Sequence, residues 1–405
     1  MNENNTKILN SAVLISALGY FVDIYDLILF GVVANPSLAE LGYQGSSLEP
    51  NKIFLLNMQM FGMLVGGILW GILGDKKGRL SVLFGSIFVY SIANIANGMV
   101  TNIEAYAIIR FLAGVGLAGE LGAGITLVNE SLSKENRGIG TMIVVAFGAL
   151  GAVVAAKVHD LFDWRMAYYV GGGMGLMLLV LRVSAFESGI YKKALESNVA
   201  RGNFFQLFSN WETASKYLKC IMVGLPIWSI IGLLILLSPE LSKYLYLTEP
   251  MKAGNTIVAC YLGLSIGDVV SGMISQWWRS RRKVVILYLA MCILTILVYV
   301  NLREISAWTF YCVSFAIGFS AGYWAIFVTQ ASEQFGTNIR ATVTTTVPNF
   351  VRGAVIPITF AYTTFAKWMN PLYSALVVNL ICILLAFWSI KTLKETFGKD
   401  LDYVE

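Results

Sequence analysis

Apolar residues gather into twelve long runs separated by short polar intervals, near positions 11–34, 53–74, 80–99, 104–129, 138–158, 166–186, 218–239, 255–278, 283–301, 307–332, 341–366 and 371–391. Each run has about twenty residues, the number a helix needs to cross a hydrocarbon core of about 30 Å. Inside that core no water is present to satisfy the backbone, so a segment of this length must close its own hydrogen bonds as a helix. The pattern predicts an all-α integral membrane protein with twelve transmembrane helices. The longest polar interval, 187–217, divides the runs into six and six. We therefore expect two pseudo-symmetric bundles: an N-terminal six-helix bundle over 1–186, a linker over 187–217, and a C-terminal six-helix bundle with a short tail over 218–405. A weak internal echo supports the halves. Glu130 and Arg137 bracket the passage from the fourth run to the fifth, and Glu333 and Arg340 bracket the tenth and eleventh at the same spacing.

Charge orients the runs. Nineteen lysines and arginines fall on the side that holds both termini and the linker, against seven on the other. By the positive-inside rule both termini face the cytoplasm, in the cytoplasmic or inner membrane of a prokaryote. Composition agrees with the bilayer reading, since only 13% of residues are charged and 57% are hydrophobic, against about 25% charged in soluble domains. The net charge of +5 is mild and dispersed, so no nucleic-acid groove is expected. Cys220, Cys260, Cys292, Cys312 and Cys382 lie in apolar runs without a CxxC pair, and His159 is the single histidine. No metal site, cofactor or two-imidazole catalysis is expected, and hence no enzyme. The N-terminus MNENNTKILN has one lysine and no small-residue cleavage site, so the first apolar run is expected to remain in the mature protein.

Several segments carry a resemblance. Gly71-Ile-Leu-Gly74-Asp75-Lys-Lys-Gly78-Arg79, between the second and third runs, resembles the G-x-x-x-D-x-x-G-R loop of the major facilitator superfamily. An Asp at a helix end can pair with a neighbouring helix terminus or Arg, so the loop would latch the halves in one state. The latch implied comprises Gly74, Asp75, Gly78 and Arg79, with Glu130, Arg137, Glu333 and Arg340 at the echo positions. In the second half Gln276 takes the Asp position, which leaves Arg279, Arg281 and Arg282 to lipid headgroups. Gly19-Tyr-Phe-Val-Asp23-Ile-Tyr25-Asp26 with Phe30-Gly31 is similar to the first-helix pattern of the metabolite:proton symporter family, with Asp for Glu and Ile for Trp. Arg110 to Gly124 is similar to its fourth helix, and Glu333 to Thr342 to its E-x-F-P-T-x-x-R-x-T stretch, with Gly336 for Pro. The resemblance implies alternating access around a central site and proton-coupled uptake of a small carboxylate, amino acid or zwitterion.

Ionisable groups at mid-bilayer cost at least about 2.5–3.5 kcal/mol each and so mark candidate chemistry. Here they are Asp23, Asp26, Arg110, Glu120, Asp268 and Arg352. Asp23 and Asp26 share a helical face, and Arg110 is expected at a similar depth, so these three form the candidate proton-coupling group; a static ion pair would use the same residues. Arg352 shares a face with Asn349 and Thr345 and suits a carboxylate clamp, or a permanent pair with Asp268 or an acid of the other half. Asp268 lies on a polar stripe with Tyr261, Ser265, Ser271 and Ser275, facing either a cavity or another helix. Arg352, Asn349, Asp268, Tyr261, Glu120, Trp228 and Trp324 form the candidate substrate site. The expected partners are a small-molecule substrate, protons and the lipid bilayer, acting on a monomer. Proton-driven efflux of an amphipathic cation is the competing transport reading, and a transporter-like sensor the competing class.

Overall fold

The computed structural model describes residues 10–77, 79–132, 137–187 and 204–398, and among these the chain is helical without a strand. The first half holds α1 (Ser11–Glu40), α2 (Leu48–Lys77), α3 (Arg79–Asn97), α4 (Ile103–Leu117), α5 (Glu120–Ser131), α6 (Arg137–Leu161) and α7 (Trp164–Glu187). The second holds α8 (Trp211–Ser229), α9 (Ala253–Trp278), α10 (Arg281–Asn301), α11 (Ala307–Ala321), α12 (Trp324–Glu333), α13 (Thr337–Gly353), α14 (Val355–Phe365) and α15 (Pro371–Thr392). Ten described helical stretches are long and apolar enough to cross a bilayer. The expected third span coincides with α3, whose apolar part Ser81–Asn97 is shorter. The expected eleventh is divided between α13 and α14, and the threonine-rich run of α13 lowers its hydropathy.

Hydropathy alone does not show where helices break. The fourth and tenth spans each divide at a glycine: α4 yields to α5 at Ala118-Gly119, and α11 to α12 at Gly322-Tyr323. Gly322 is required by close approach, since a Cβ there would sit 2.6 Å from Gly267 Cα on α9. The freed N-terminus of α12 has a partner, because the Ala325 N–H donates to Asp268 Oδ1 at 3.0 Å. A carboxylate at a helix N-terminus satisfies an orphan donor and opposes the positive end of the helix dipole. α8 holds Pro226 and passes into a π-helical turn over Ile230–Ile235.

The ends also differ from the hydropathy pattern. α1 continues past Pro36 to Glu40, where the carboxylate accepts from Trp164 and Arg165 of α7. α8 starts at Trp211, inside the expected linker, with Asn210 accepting from the Thr213 N–H at 2.8 Å.

Packing in lipid relies on close backbone approach rather than on a hydrophobic driving force. α2 and α4 meet this way, with Gly62 against Phe111 and Gly114 against Gln59. Across the halves α2 runs along α13 and α6 along α9. Gly122 of α5 abuts Thr345, and Gly67 of α2 abuts Asn349. These contacts bring α1, α6, α8, α9 and α12 around one small central cavity.

Candidate functional site

The cavity is lined by Tyr20 and Ile24 of α1, Val145 and Ala149 of α6, Ile227 and Trp228 of α8, Ile231 of the π-helical turn after it, Tyr261 and Leu264 of α9, and Trp324 of α12. Its wall is apolar and aromatic, a surface suited to a flat apolar body. Trp228, Trp324 and Tyr261 were legible in the sequence as candidates. Tyr20 was missed, although it stands three residues before Asp23 and so shares a face with it.

Arg352 stands beside two of the aromatic residues of this wall. It lies in the last turn of α13, is 1% exposed, and its guanidinium carbon stands 5.6 Å from the Trp228 ring centre and 5.7 Å from that of Trp324. Two indole faces at that range attract a cation. Its acidic partner is Asp23 of α1, at 3.6 Å and fully buried. That distance is too long for a hydrogen bond. Neither Asp23 oxygen has a hydrogen-bond partner among the described residues, nor do Arg352 Nε and Nη2, Tyr261 Oη or Trp324 Nε1. Buried polar atoms are normally satisfied, so an accumulation of orphans at one wall marks a place where a polar ligand or water binds.

The expected group of Asp23, Asp26 and Arg110 is divided in the structure. Arg110 donates to Gln59 of α2 and lies 4.6 Å from the Phe30 ring centre, while Asp23 turns to Arg352 of the other half. Asp26 points elsewhere, with its Oδ1 against Gly171 of α7. The cause is helical rotation, which spacing within α1 cannot reveal.

Three expected substrate residues are committed to neighbouring helices. Glu120 is buried in a two-pronged pair with Arg182 of α7, at 2.8 and 3.0 Å, and also accepts from Ser86 of α3 at 2.8 Å. Arg182 also falls within an apolar run but was not among the candidate buried charges. Asn349 donates to Ala118 O at 2.7 Å and Thr345 O at 2.8 Å, bracing α13 against the break between α4 and α5. Asp268 holds the start of α12. The serines of its stripe bond between or within helices, while the Tyr261 hydroxyl does not: Ser265 donates to Ala146 O of α6 at 2.9 Å, Ser271 to Asp268 O at 3.0 Å, and Ser275 accepts from Arg281 at 3.2 Å.

Of the latch, the side chains of Asp75, Arg79, Glu130 and Arg137 and the whole of Gly78 lie outside the described residues. Gly74 faces Val82 of α3. Arg340 donates to Phe335 O at 3.1 and 3.2 Å. Glu333 pairs with Arg281 at 3.3 Å and accepts from Thr396 at 2.7 Å. Arg281 is therefore not left to lipid headgroups. It sits in a cluster where Glu395, from the segment after α15, accepts from Ser280 Oγ and from the Arg281 and Arg282 backbone N–H groups. Burial pushes the Glu395 carboxyl up, but the Ser280 hydroxyl and the backbone N–H groups of Phe397, Arg281 and Thr396 outweigh it and hold the group below the ordinary glutamate range. At the end of the bundle opposite the termini a second pairing went unseen in the sequence. Lys52 of α2 and Glu240, both buried, meet at 3.1 Å across the halves. Tyr362 Oη donates to Glu49 at 3.1 Å beside them.

Comparison with known proteins agrees with this architecture. The sequence profile of the Major Facilitator Superfamily matches residues 16–358, and the chain belongs to that superfamily. It is a multi-pass membrane transporter of a small molecule and not an enzyme. It is 25% identical, over 84% of both chains, to a Bacillus subtilis protein named as a niacin/nicotinamide transporter, NiaP. It is 26% identical, over 96% of both, to a Haemophilus influenzae protein named as a metabolite transport protein. Over 42% of this chain and 38% of the relative it is 30% identical to the 4-hydroxybenzoate transporter PcaK of Pseudomonas aeruginosa.

Proposed function

We propose that this protein takes up a small planar carboxylate, aromatic in its best-fitting form, together with protons. One observation carries the reading: Arg352 stands within cation–π range of two indoles that line an aromatic cavity, only loosely matched by Asp23. A substrate carboxylate can accept two parallel N–H bonds from a guanidinium, a better match than an Asp held at 3.6 Å. The substrate ring then lies against Tyr20, Tyr261, Trp228 and Trp324. The names of the Bacillus and Pseudomonas relatives, which pair a flat ring with a small polar group, support the same chemistry.

Coupling follows from competition for one cation. When the substrate takes Arg352, Asp23 is left as an unpaired carboxylate in a low-dielectric interior, and that state is costly unless it binds a proton. Substrate and proton therefore load together. Asp26, one turn away on α1, is the second acid of the couple, within the field of the Arg110 charge on α4 but not bonded to it. The two six-helix bundles, joined through 187–217, rock about this site, with Lys52–Glu240 tying them at one end and the latch loop at the other. The termini lie in the cytoplasm of a prokaryotic cell, the unit is a monomer, and nucleic acid has no part in its work.

The test is a melting-temperature screen of the purified protein against aromatic monocarboxylates, including nicotinate and 4-hydroxybenzoate, with amino acids and quaternary ammonium compounds as contrasts. A ligand that binds the native state raises its stability by mass action. Stabilisation by a flat carboxylate, lost in Arg352→Gln, is the expected result. Stabilisation by quaternary ammonium compounds alone would replace uptake of an anion with export of a cation.

A further inference from the structure

One face of α3 is polar and buried along most of its length. Ser86, Tyr90, Asn94 and Asn97 follow one another at helical spacing, and each is 0% exposed. Ser86 has a bonded partner in Glu120. The other three do not: Tyr90 Oη and both polar atoms of Asn94 and of Asn97 lack a hydrogen bond among the described residues, as do both oxygens of Asp26, against which Asn94 stands. Asn94 has only the loosely placed Asp26 carboxylate beside it and Asn97 has no partner among the described residues, and buried amides so placed on a membrane helix need an explanation. Ordered water, which binds where several buried polar groups converge, supplies one.

The stripe lies away from the cavity. Residues advance about 100° per position around a helix, so Asp26 falls roughly 140° from the midpoint of Tyr20 and Ile24, the two α1 residues that line the cavity. Asp23 falls between, about 60° from Asp26 and 80° from that midpoint. On the far side α7 presents Gly171 to Asp26 and Gly175 to Tyr90 and Ser91, so backbone rather than bulk faces the polar groups. The charges around Asp26 are Asp23 on its own helix and Arg110 from α4, while Glu120 of α5 and Arg182 of α7 adjoin Tyr90 at the other end of the stripe.

We propose that the first half of the chain carries its own water-lined proton path along α3, from Asn97 through Asn94 to Asp26, separate from the cavity that takes the substrate. A hydronium at the Asn97 end gives up a proton and becomes water, each water along the stripe accepts one proton and passes one on, and an Asp26 carboxylate oxygen binds the last. Transfer one turn along α1 then breaks that O–H bond as one forms on Asp23, so no charge is left behind on the path. The path rests on the coupling read above for its purpose, and it lets protons reach the acids while a bound substrate fills the cavity.

The experiment follows hydrogen exchange at Asp26 in the full-length protein in lipid, with no substrate present. The carbonyl stretch of its protonated carboxyl is assigned as the infrared band lost in Asp26→Asn, and its shift is timed after transfer to heavy water. Asn94→Leu and Asn97→Leu should each slow the shift at least tenfold, whereas Asn94→Ser, which can still hold water, should stay within twofold of wild type. Ala149→Leu, which fills the cavity, should leave the rate unchanged. Should one leucine variant not fold, the other carries the comparison. Exchange that is unaffected by both leucines, slowed by Ala149→Leu instead, or absent in the wild type overturns the proposal. Failure of the coupling itself is read separately, as undiminished pH-driven accumulation in Asp26→Asn.

Discussion

Among the described residues two fully buried Arg–carboxylate pairs are built differently. Arg182 and Glu120 meet through two hydrogen bonds at 2.8 and 3.0 Å, and Ser86 supplies a third to the same carboxylate. All the helices involved, α3, α5 and α7, belong to the first half. Arg352 and Asp23 meet at 3.6 Å with no hydrogen bond, across the two halves, beside the cavity. A buried pair offsets its desolvation only when geometry is good and the remaining lone pairs are satisfied. The first pair meets that condition and ties helices together. The second does not, and is poised to exchange partners. The contrast separates a structural charge from a working one better than depth in the membrane does.

The largest expected effect breaks the tight pair. Glu120→Gln or Arg182→Met should destabilise the protein by about 3–5 kcal/mol, because the surviving charge is left buried and unpaired. Thermal unfolding in detergent measures it, and restoration in the double variant Glu120→Gln/Arg182→Met would show that the orphaned charge was the cause. A melting temperature near wild type in both single variants would remove the structural assignment of Glu120.

The loose pair should respond in the opposite way. Arg352→Lys is expected to keep the melting temperature close to wild type, since Asp23 can bind a proton when its partner weakens, yet to lower affinity for the identified carboxylate at least tenfold, or about 1.4 kcal/mol. Asp23→Asn should raise that affinity by removing the competitor, and should flatten its pH dependence. In the wild type, binding should strengthen as pH falls, because protonating Asp23 frees Arg352. Titration calorimetry at several pH values measures both.

Smaller effects are expected at the two ends. Lys52→Met should leave substrate affinity within a few-fold of wild type but widen the distance distribution between spin labels at the end opposite the termini, since it removes one cross-half tie and leaves Glu240 buried alone. The smallest concerns Glu395. Its carboxyl is held below the usual value of 4.5 when docked, so docking is favoured above that pH and is lost as pH falls through the lower bound value. Protease sensitivity of the segment after α15 should rise only in acid for wild type, and at neutral pH for Glu395→Gln. Equal sensitivity of the two proteins at neutral pH would remove Glu395 as the anchor.

How far the sequence reached depends on the range of each physical rule. Membrane crossing is a local constraint, since every spanning segment must be apolar and close its own hydrogen bonds, so the helical architecture and the family were legible from hydropathy and one loop. The identity of the buried charges was legible for the same reason: an ionisable residue inside an apolar run is conspicuous wherever its partner lies. What the sequence could not determine was the pairing. Asp23 sits closer in the chain to Arg110 than to Arg352, and Asp268 has an apolar run on either side, yet one salt bridge spans the two halves and the other acid ends up on a helix N-terminus. Hydrogen bonds and ion pairs act over about 3–4 Å, and a rotation of about 100° per residue carries a side chain from one neighbouring helix to another. Which helices meet, at what depth and with which face was decided by glycine contacts and helix breaks distributed over the whole chain, and these exist only in the assembled bundle.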